Sequence, residues 1–285
     1  MASGSLKIAT CQFAVSASIR RNAQKICTQM QNAKKARADI VHFPECALSG
    51  YVGTDFSSFA GFDWTLLGRE TRRIMSHAGE LKLWVVLGSV HESAESGKPY
   101  NSLYLISPAG KIAGRYDKRF CTKGELRRHT AGDRFVYFEI NGVKCSLLIC
   151  FDVRFPELYR ELYKRRVNCI FQSFYNARQS GPSVHTHIMR QSMQCRAATN
   201  HFWASISNAS GYYSPYPSCF IQPDGEIVKQ LRQNKAGIMV NKVNINKKFY
   251  DPMAGYRDLA INGRLNNMPN NVKNKRAKKT KMSLK

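Results

Sequence analysis

"LLICFDVRFPEL", residues 147–158, opens as an apolar strand and breaks at Cys150 into a turn carrying Asp152, Arg154, Pro156 and Glu157. A cysteine at such a junction is either core filler or a nucleophile held at the mouth of a pocket. Two local signals frame it. The run "VKCSLLIC" reads as a strand buried on both faces. Pro156 suits the first turn of a helix, whose apolar stripe is Leu158, Tyr159, Leu162 and Tyr163. Strand, reactive turn and helix in direct succession point to an α/β protein.

The pattern repeats outward from this stretch. Leu6–Phe13, "DIVHFPE", "LWVVLGSV", "VNCIFQSF" and "FWASISNAS" read as strands. Asn22–Ala38, "TLLGRETRRIMSHAGELK" and "HIMRQSMQCRAAT" read as helices between them. "NSLYLIS" and "KIAGRYDK" flank "PAG", and "SCFIQ" and "EIVKQL" flank "PDG", as hairpins do. Helices between buried strands predict an α/β fold, and the hairpins predict mixed sheets.

Composition bounds the function. The chain has 285 residues, 43% of them hydrophobic, enough for a substantial core. No apolar run approaches the ~20 residues that span a bilayer, and the first residues lack the layout of a signal peptide. The expectation is a cytoplasmic protein with no membrane role. Nine cysteines form no C-x-x-C pair, which speaks against a disulfide framework or a tetrahedral zinc site. Cys11, Cys145, Cys169 and Cys195 read as buried small hydrophobes. His185 and His187 have no Cys or acidic residue at ligand spacing, so neither metal nor other cofactor is expected. The net charge is +25, and residues 264–285 carry eight basic residues and no acid. This tail is expected to be disordered, leaving one domain over residues 1–263. Its charge serves solubility or electrostatic association with nucleic acid.

Three stretches share one design, an apolar strand ending in a reactive side chain. They are "VHFPECALSGY" with Glu45, "GRYDKRF" with Lys118, and residues 147–158 with Cys150. Strand ends of an α/β sheet lie along a common edge, so distant residues converge there. Singly, each has an ordinary alternative: a core cysteine, a turn glutamate, a solvated lysine. Together they make an acyl-transfer set. Glu45 takes the thiol proton, Lys118 stabilises thiolate and oxyanion, and the amide of Phe151 completes an oxyanion hole.

These motifs resemble those of the nitrilase superfamily of carbon–nitrogen hydrolases, and the resemblance runs from about Lys7 to about Asn262. It implies a four-layer αββα sandwich with two mixed sheets, and a catalytic triad at Glu45, Lys118 and Cys150. It also implies a second glutamate after the lysine, for which Glu125 in "FCTKGELRRHTAGD" stands in place. "CFD" is similar to amidases and N-carbamoyl hydrolases, so a small amide or carbamoyl substrate is expected, hydrolysed through a thioester. Nitrile hydrolysis, acyl transfer to an amine and a non-catalytic binding role stay open. The resemblance also implies a homodimer or a larger homo-oligomer. Arg178 and Arg190 are candidates for binding a substrate carboxylate, the alternative being surface residues or partners of acids. Arg154 and Glu157 are expected to form an ion pair supporting the nucleophile turn. Two departures mark the pocket: Phe120 stands where the family usually has histidine, and "YNARQSGPSVHTHIMRQ" matches no subfamily pattern.

Overall fold

The polar residues of the buried strands explain the architecture. Thr10, His42, Ser173, Ser205 and Ser207 are all fully buried. In the computed structural model, which describes residues 3–93, 97–264 and 266, they satisfy one another across two facing sheets. Ser205 Oγ meets Thr10 Oγ1 at 2.7 Å and His42 Nδ1 at 2.8 Å. His42 Nε2 meets Ser173 Oγ at 2.9 Å, and Ser207 Oγ donates to the Cys11 carbonyl at 2.7 Å. Burial pushes the His42 imidazole down to about 3, so the ring is neutral, with one nitrogen donating and the other accepting. A buried polar group is tolerated only when paired, and these pairs fix the register of sheet on sheet.

The first sheet contains β1 (Ser5–Gln12), β2 (Ile40–His42), β3 (Trp84–His91), β4 (Tyr100–Ile106), β5 (Ile112–Asp117) and the later strand β12 (Gly237–Asn244), in the order β12-β1-β2-β3-β4-β5. The second contains β6 (Tyr137–Ile140), β7 (Val143–Ile149), β8 (Cys169–Phe174), β9 (Trp203–Asn208), β10 (Cys219–Ile221) and β11 (Ile227–Gln230), in the order β11-β10-β9-β8-β7-β6. β1, β2 and β3 are mutually parallel, as are β7, β8 and β9. The outer strands pair antiparallel, so both sheets are mixed. The two expected hairpins are β4–β5 and β10–β11.

Helices cover the outer faces. α1 (Ile19–Lys35) and α2 (Trp64–Leu81) bury Ala23, Ile26, Met30, Leu67, Ile74 and Ala78 in one core with residues of β1 and β3. α3 (Pro156–Lys164) and α4 (Val184–Asn200) lie over the second sheet; Tyr159 of α3 donates to Gln172 of β8 at 2.6 Å. The result is the αββα sandwich. α1 begins three residues before the apolar periodicity shows, because Ser18 caps it by accepting the Arg21 amide. Cys195 is exposed on α4, not buried as expected; it sits on the solvent side of a helix whose buried stripe is Met189, Met193 and Ala197.

Among the described residues, those up to Lys248 form one compact unit and those from Phe249 on belong to a second. In the second unit a short helix, α5 (Arg257–Ile261), carries Arg257, which is paired with Asp251. Of the basic tail, only Arg264 and Asn266 fall among the described residues. No helix of the described residues is long and apolar enough to cross a membrane.

Candidate active site

Three loops bring the acyl-transfer set together at one end of the sandwich. Glu45 follows β2, Lys118 directly follows β5, and Cys150 directly follows β7. The β2 loop is pressed against β3 at Gly88, where an added Cβ would stand 2.0 Å from the Pro44 carbonyl. Only glycine allows that approach. The Gly88 carbonyl accepts the Leu48 amide at 3.0 Å, and the Glu45 amide donates across to the Phe174 carbonyl at 3.3 Å.

Lys118 is 1% exposed, Glu45 0% and Glu125 7%. The Lys118 ammonium donates to Glu45 Oε1 at 3.0 Å and to Glu125 Oε1 at 2.5 Å. An ammonium has three N–H groups, so one remains for a third acceptor. Glu45 is held further by Asn101 Nδ2 at 2.7 Å on Oε1 and the Tyr175 amide at 2.7 Å on Oε2. Glu125 accepts the Tyr51 hydroxyl at 2.8 Å and the Thr122 amide at 2.8 Å.

The two carboxylates face opposite electrostatic fates. Burial raises Glu45, and Lys118 only partly offsets this. Burial also works to raise Glu125, but Lys118, Thr122 and Tyr51 outweigh it and hold that carboxyl low. Burial alone would lower the Lys118 ammonium, yet Glu45 and its neighbours hold it well above the ordinary lysine range. Glu125 is therefore the permanent anion that keeps Lys118 charged, and Glu45 is the carboxylate that can take and return a proton.

Cys150 sits at φ +41°, a left-handed conformation that strains a residue with a side chain. It opens a 3-10 turn over Cys150–Arg154, whose first amides, that of Phe151 included, lack acceptors within the turn. Cys150 Sγ accepts Asn176 Nδ2 at 3.5 Å. Burial and the charge of Glu45 push the thiol above its ordinary range, so it is protonated at neutral pH and requires a base.

The structure brings Glu45, Lys118, Glu125 and Cys150 with Phe151 into one cluster. The expected arginines have protein partners of their own. Arg178 Nε is ion-paired with Asp55 at 2.9 Å and its Nη2 donates to the Val15 carbonyl at 3.0 Å. Arg190, on α4, donates to Gln230 at 3.4 Å. Arg154 and Glu157 form no ion pair with each other among the described residues, contrary to expectation. The chain is extended at Phe155, between the turn and α3, which removes the helical spacing that would align them. Glu157 is exposed in the first turn of α3, where negative charge is favoured. Arg154 is half-buried, its charge acting on His185 of α4. Sequence reasoning missed Asn101, Asn176, Tyr51 and the Tyr175 amide. Each is ordinary in its own strand or loop, and only the fold brings it to the cluster.

The carbon–nitrogen hydrolase family model matches residues 7–247. The omega-amidase NIT2 of Homo sapiens is 25% identical over 260 residues, 85% of this chain and 90% of that protein. An (R)-stereoselective amidase of Pseudomonas sp. is 33% identical over 175 residues, 61% of this chain and 60% of that protein. One solved structure is a mutant of the amidase from Nesterenkonia sp. AN1 with covalent addition of the acetamide moiety of fluoroacetamide at its active site cysteine. It is similar with a TM-score of 0.75 at 20% identity, covering 92% of this chain and 98% of that one; at that identity the likeness concerns the fold. Two six-stranded mixed sheets, the buried carboxylate–ammonium–thiol cluster at their strand ends and the match over residues 7–247 agree: the chain belongs to the carbon–nitrogen hydrolase family.

Proposed function

We propose that this protein hydrolyses the C–N bond of a small amide or N-carbamoyl substrate through a thioester on Cys150. One observation carries the reading: a buried ammonium shared by two carboxylates of unlike proton affinity, beside a protonated thiol at a strained strand end. Cys150 Sγ attacks the carbonyl carbon as Glu45 removes the thiol proton. The carbonyl oxygen becomes an oxyanion, held by the third Lys118 N–H and the Phe151 amide. The C–N bond breaks as Glu45 returns the proton to the departing nitrogen, which leaves as ammonia or an amine. Water then attacks the thioester with Glu45 as base, releasing the acid and the thiol. Every step balances with water as the sole co-reactant.

The amidases among the similar proteins support an amide substrate. The family resemblance adds a homodimer or larger homo-oligomer, to be read by light scattering, and the sequence reading adds a cytoplasmic location, to be read by fractionation. Ammonia release decides the chemistry. Primary amides, ω-amides, N-carbamoyl amino acids and nitriles are offered to the protein and to Cys150→Ala side by side. Release by the unsubstituted protein alone is expected; equal release by both overturns the thioester.

A further inference from the structure

We propose that Asp152 is a positioning residue, one buried carboxylate that sets the spacing between the lysine loop and the nucleophile turn. The proposal rests on the roles of Lys118 and Cys150 given above. Asp152 is 0% exposed. Its Oδ2 accepts the Ile149 amide at 2.9 Å and the Tyr116 hydroxyl at 2.8 Å. Its Oδ1 accepts the Phe120 amide at 3.0 Å. Ile149 is the residue before Cys150; Tyr116 and Phe120 stand two residues either side of Lys118. A single side chain therefore grips both flanks of the lysine and the approach to the thiol.

This grip has no backbone substitute. Lys118 follows β5, the edge of the first sheet, and Cys150 follows β7 of the second. No β-ladder joins those strands, so strand pairing does not set their separation. The far side of the turn is held without an ionisable acid: Tyr159 donates to Gln172 Oε1, and Gln172 Nε2 donates to the Cys150 carbonyl at 3.4 Å.

The ionised form of Asp152 serves geometry and not stability. Burial raises its carboxyl to about 6, against the donors from Ile149, Phe120 and Tyr116 and the charge of Lys118. An acid whose folded value lies above its unfolded one loses stability as pH rises between the two, so the carboxylate is a net cost at neutral pH. As an anion it accepts three donors; protonated, it must itself donate, and the grip loosens. The other ionisable groups facing it are Tyr116 from β5, Tyr159 from α3, Lys118 and Cys121 from the lysine loop, with Arg119 acting on Tyr116. Both tyrosines stay protonated, since burial raises each.

The test uses the full chain, Asp152→Asn and Tyr116→Phe. The pH dependence of kcat/KM is read on a primary amide, and iodoacetamide labelling of Cys150 is followed by peptide mass spectrometry. Asp152→Asn turns an amide N–H toward donors; kcat is expected to fall about 10- to 100-fold with KM changed less than about threefold. Tyr116→Phe removes one donor and keeps the carboxylate. Its plateau is expected within about threefold, while the acid limb of kcat/KM, and the step in labelling near pH 6, move up by about one pH unit. A folded Tyr116→Phe protein with an unmoved limb, or a folded Asp152→Asn protein with full kcat, overturns the proposal. Should Asp152→Asn fail to fold, Tyr116→Phe decides. Labelling needs no substrate, so absence of turnover on every amide would sink the hydrolase reading and still leave Asp152 tested.

Discussion

Replacing Lys118 with methionine leaves two buried carboxylates facing a hydrocarbon, and the consequence is calculable. The lost contacts are 3.0 Å to Glu45 and 2.5 Å to Glu125. Breaking a buried ion pair costs about 3–5 kcal/mol, most of it the cost of a charge left uncompensated. The protein can escape by protonating the carboxylates. From an unfolded pKa of about 4.3, taking up a proton costs about 1.36 kcal/mol per pH unit, hence roughly 1 kcal/mol at pH 5 and roughly 5 kcal/mol at pH 8. In the parent, Lys118 holds Glu125 low, so that group contributes stability above its unfolded pKa and loses it as the solution is acidified. In Lys118→Met the largest opposing influence is gone, and burial raises Glu125 against only the Thr122 and Tyr51 hydrogen bonds. That contribution changes sign: stability is present at low pH and lost as pH rises. The variant should be about 2–4 kcal/mol more destabilised at pH 8 than at pH 5, measured as the difference in urea-unfolding free energy from the parent at each pH. Turnover should fall at least about 1,000-fold at both, because the oxyanion loses its cation. An equal stability loss at pH 5 and pH 8 would refute the claim that Lys118 holds two buried anions in place.

Cys150→Gly should be about 1 kcal/mol more stable than Cys150→Ala by thermal or urea unfolding, since only glycine adopts φ +41° without strain; equal stabilities would remove the strained turn. Gly88→Ala should drive the Pro44–Glu45 loop off β3 and lower kcat about 100-fold or more, with a smaller change in secondary structure by circular dichroism; unchanged kcat would show that this close approach does not position Glu45. Labelling of Cys150 by iodoacetamide should accelerate continuously as pH rises from 7 to 9, because burial and Glu45 keep the thiol protonated at neutral pH; a rate already at its plateau at pH 7 would mean a preformed thiolate. Glu125→Gln should lower kcat about 10- to 100-fold and leave KM nearly unchanged, by releasing the ammonium from its second anchor.

The strands and helices legible in the sequence are those whose side chains alone report burial. β3 and β7 are nearly continuous apolar runs, and α1 repeats its apolar residues at helical spacing. β12 escaped because it is an edge strand whose "GIMVNKVN" mixes buried Met239, Asn241 and Val243 with half-buried Ile238 and Val240 and exposed Lys242. β6 is four residues long with only Ile140 buried. Within the site, Glu45 and Cys150 stand where apolar runs end, whereas Lys118 follows the polar end of β5 and was legible through the motif "GRYDKRF". Asn101 lies inside β4 and Asn176 beyond β8, and neither departs from its local pattern; their parts follow from which strand ends meet. The arginines were legible as cations but not by their partners. A guanidinium announces anion binding, but its partner is set by the fold, and Arg178 finds Asp55, 123 residues away in the chain.

Three ionisable groups in the cluster make a net charge of −1 when all are ionised: two carboxylates and one ammonium. A site that must both take a proton from sulfur and deliver one to nitrogen needs a single mobile proton acceptor and a field that does not follow it. Two identical carboxylates sharing one lysine would exchange that role freely. The fold removes the symmetry by unequal burial and unequal hydrogen bonding, with Glu45 at 0% exposure against β8 and Glu125 reached by Tyr51 and Thr122 at the margin. When Glu45 is protonated by the thiol, Glu125 still neutralises Lys118 and the cluster becomes neutral. The negative charge then passes to the oxyanion, facing the ammonium's remaining N–H. The net charge stays constant through the attack, and only its location changes, so the buried surroundings need not reorganise. Cys150 must start as a neutral thiol for that balance to hold, which is the state that burial and Glu45 impose on it.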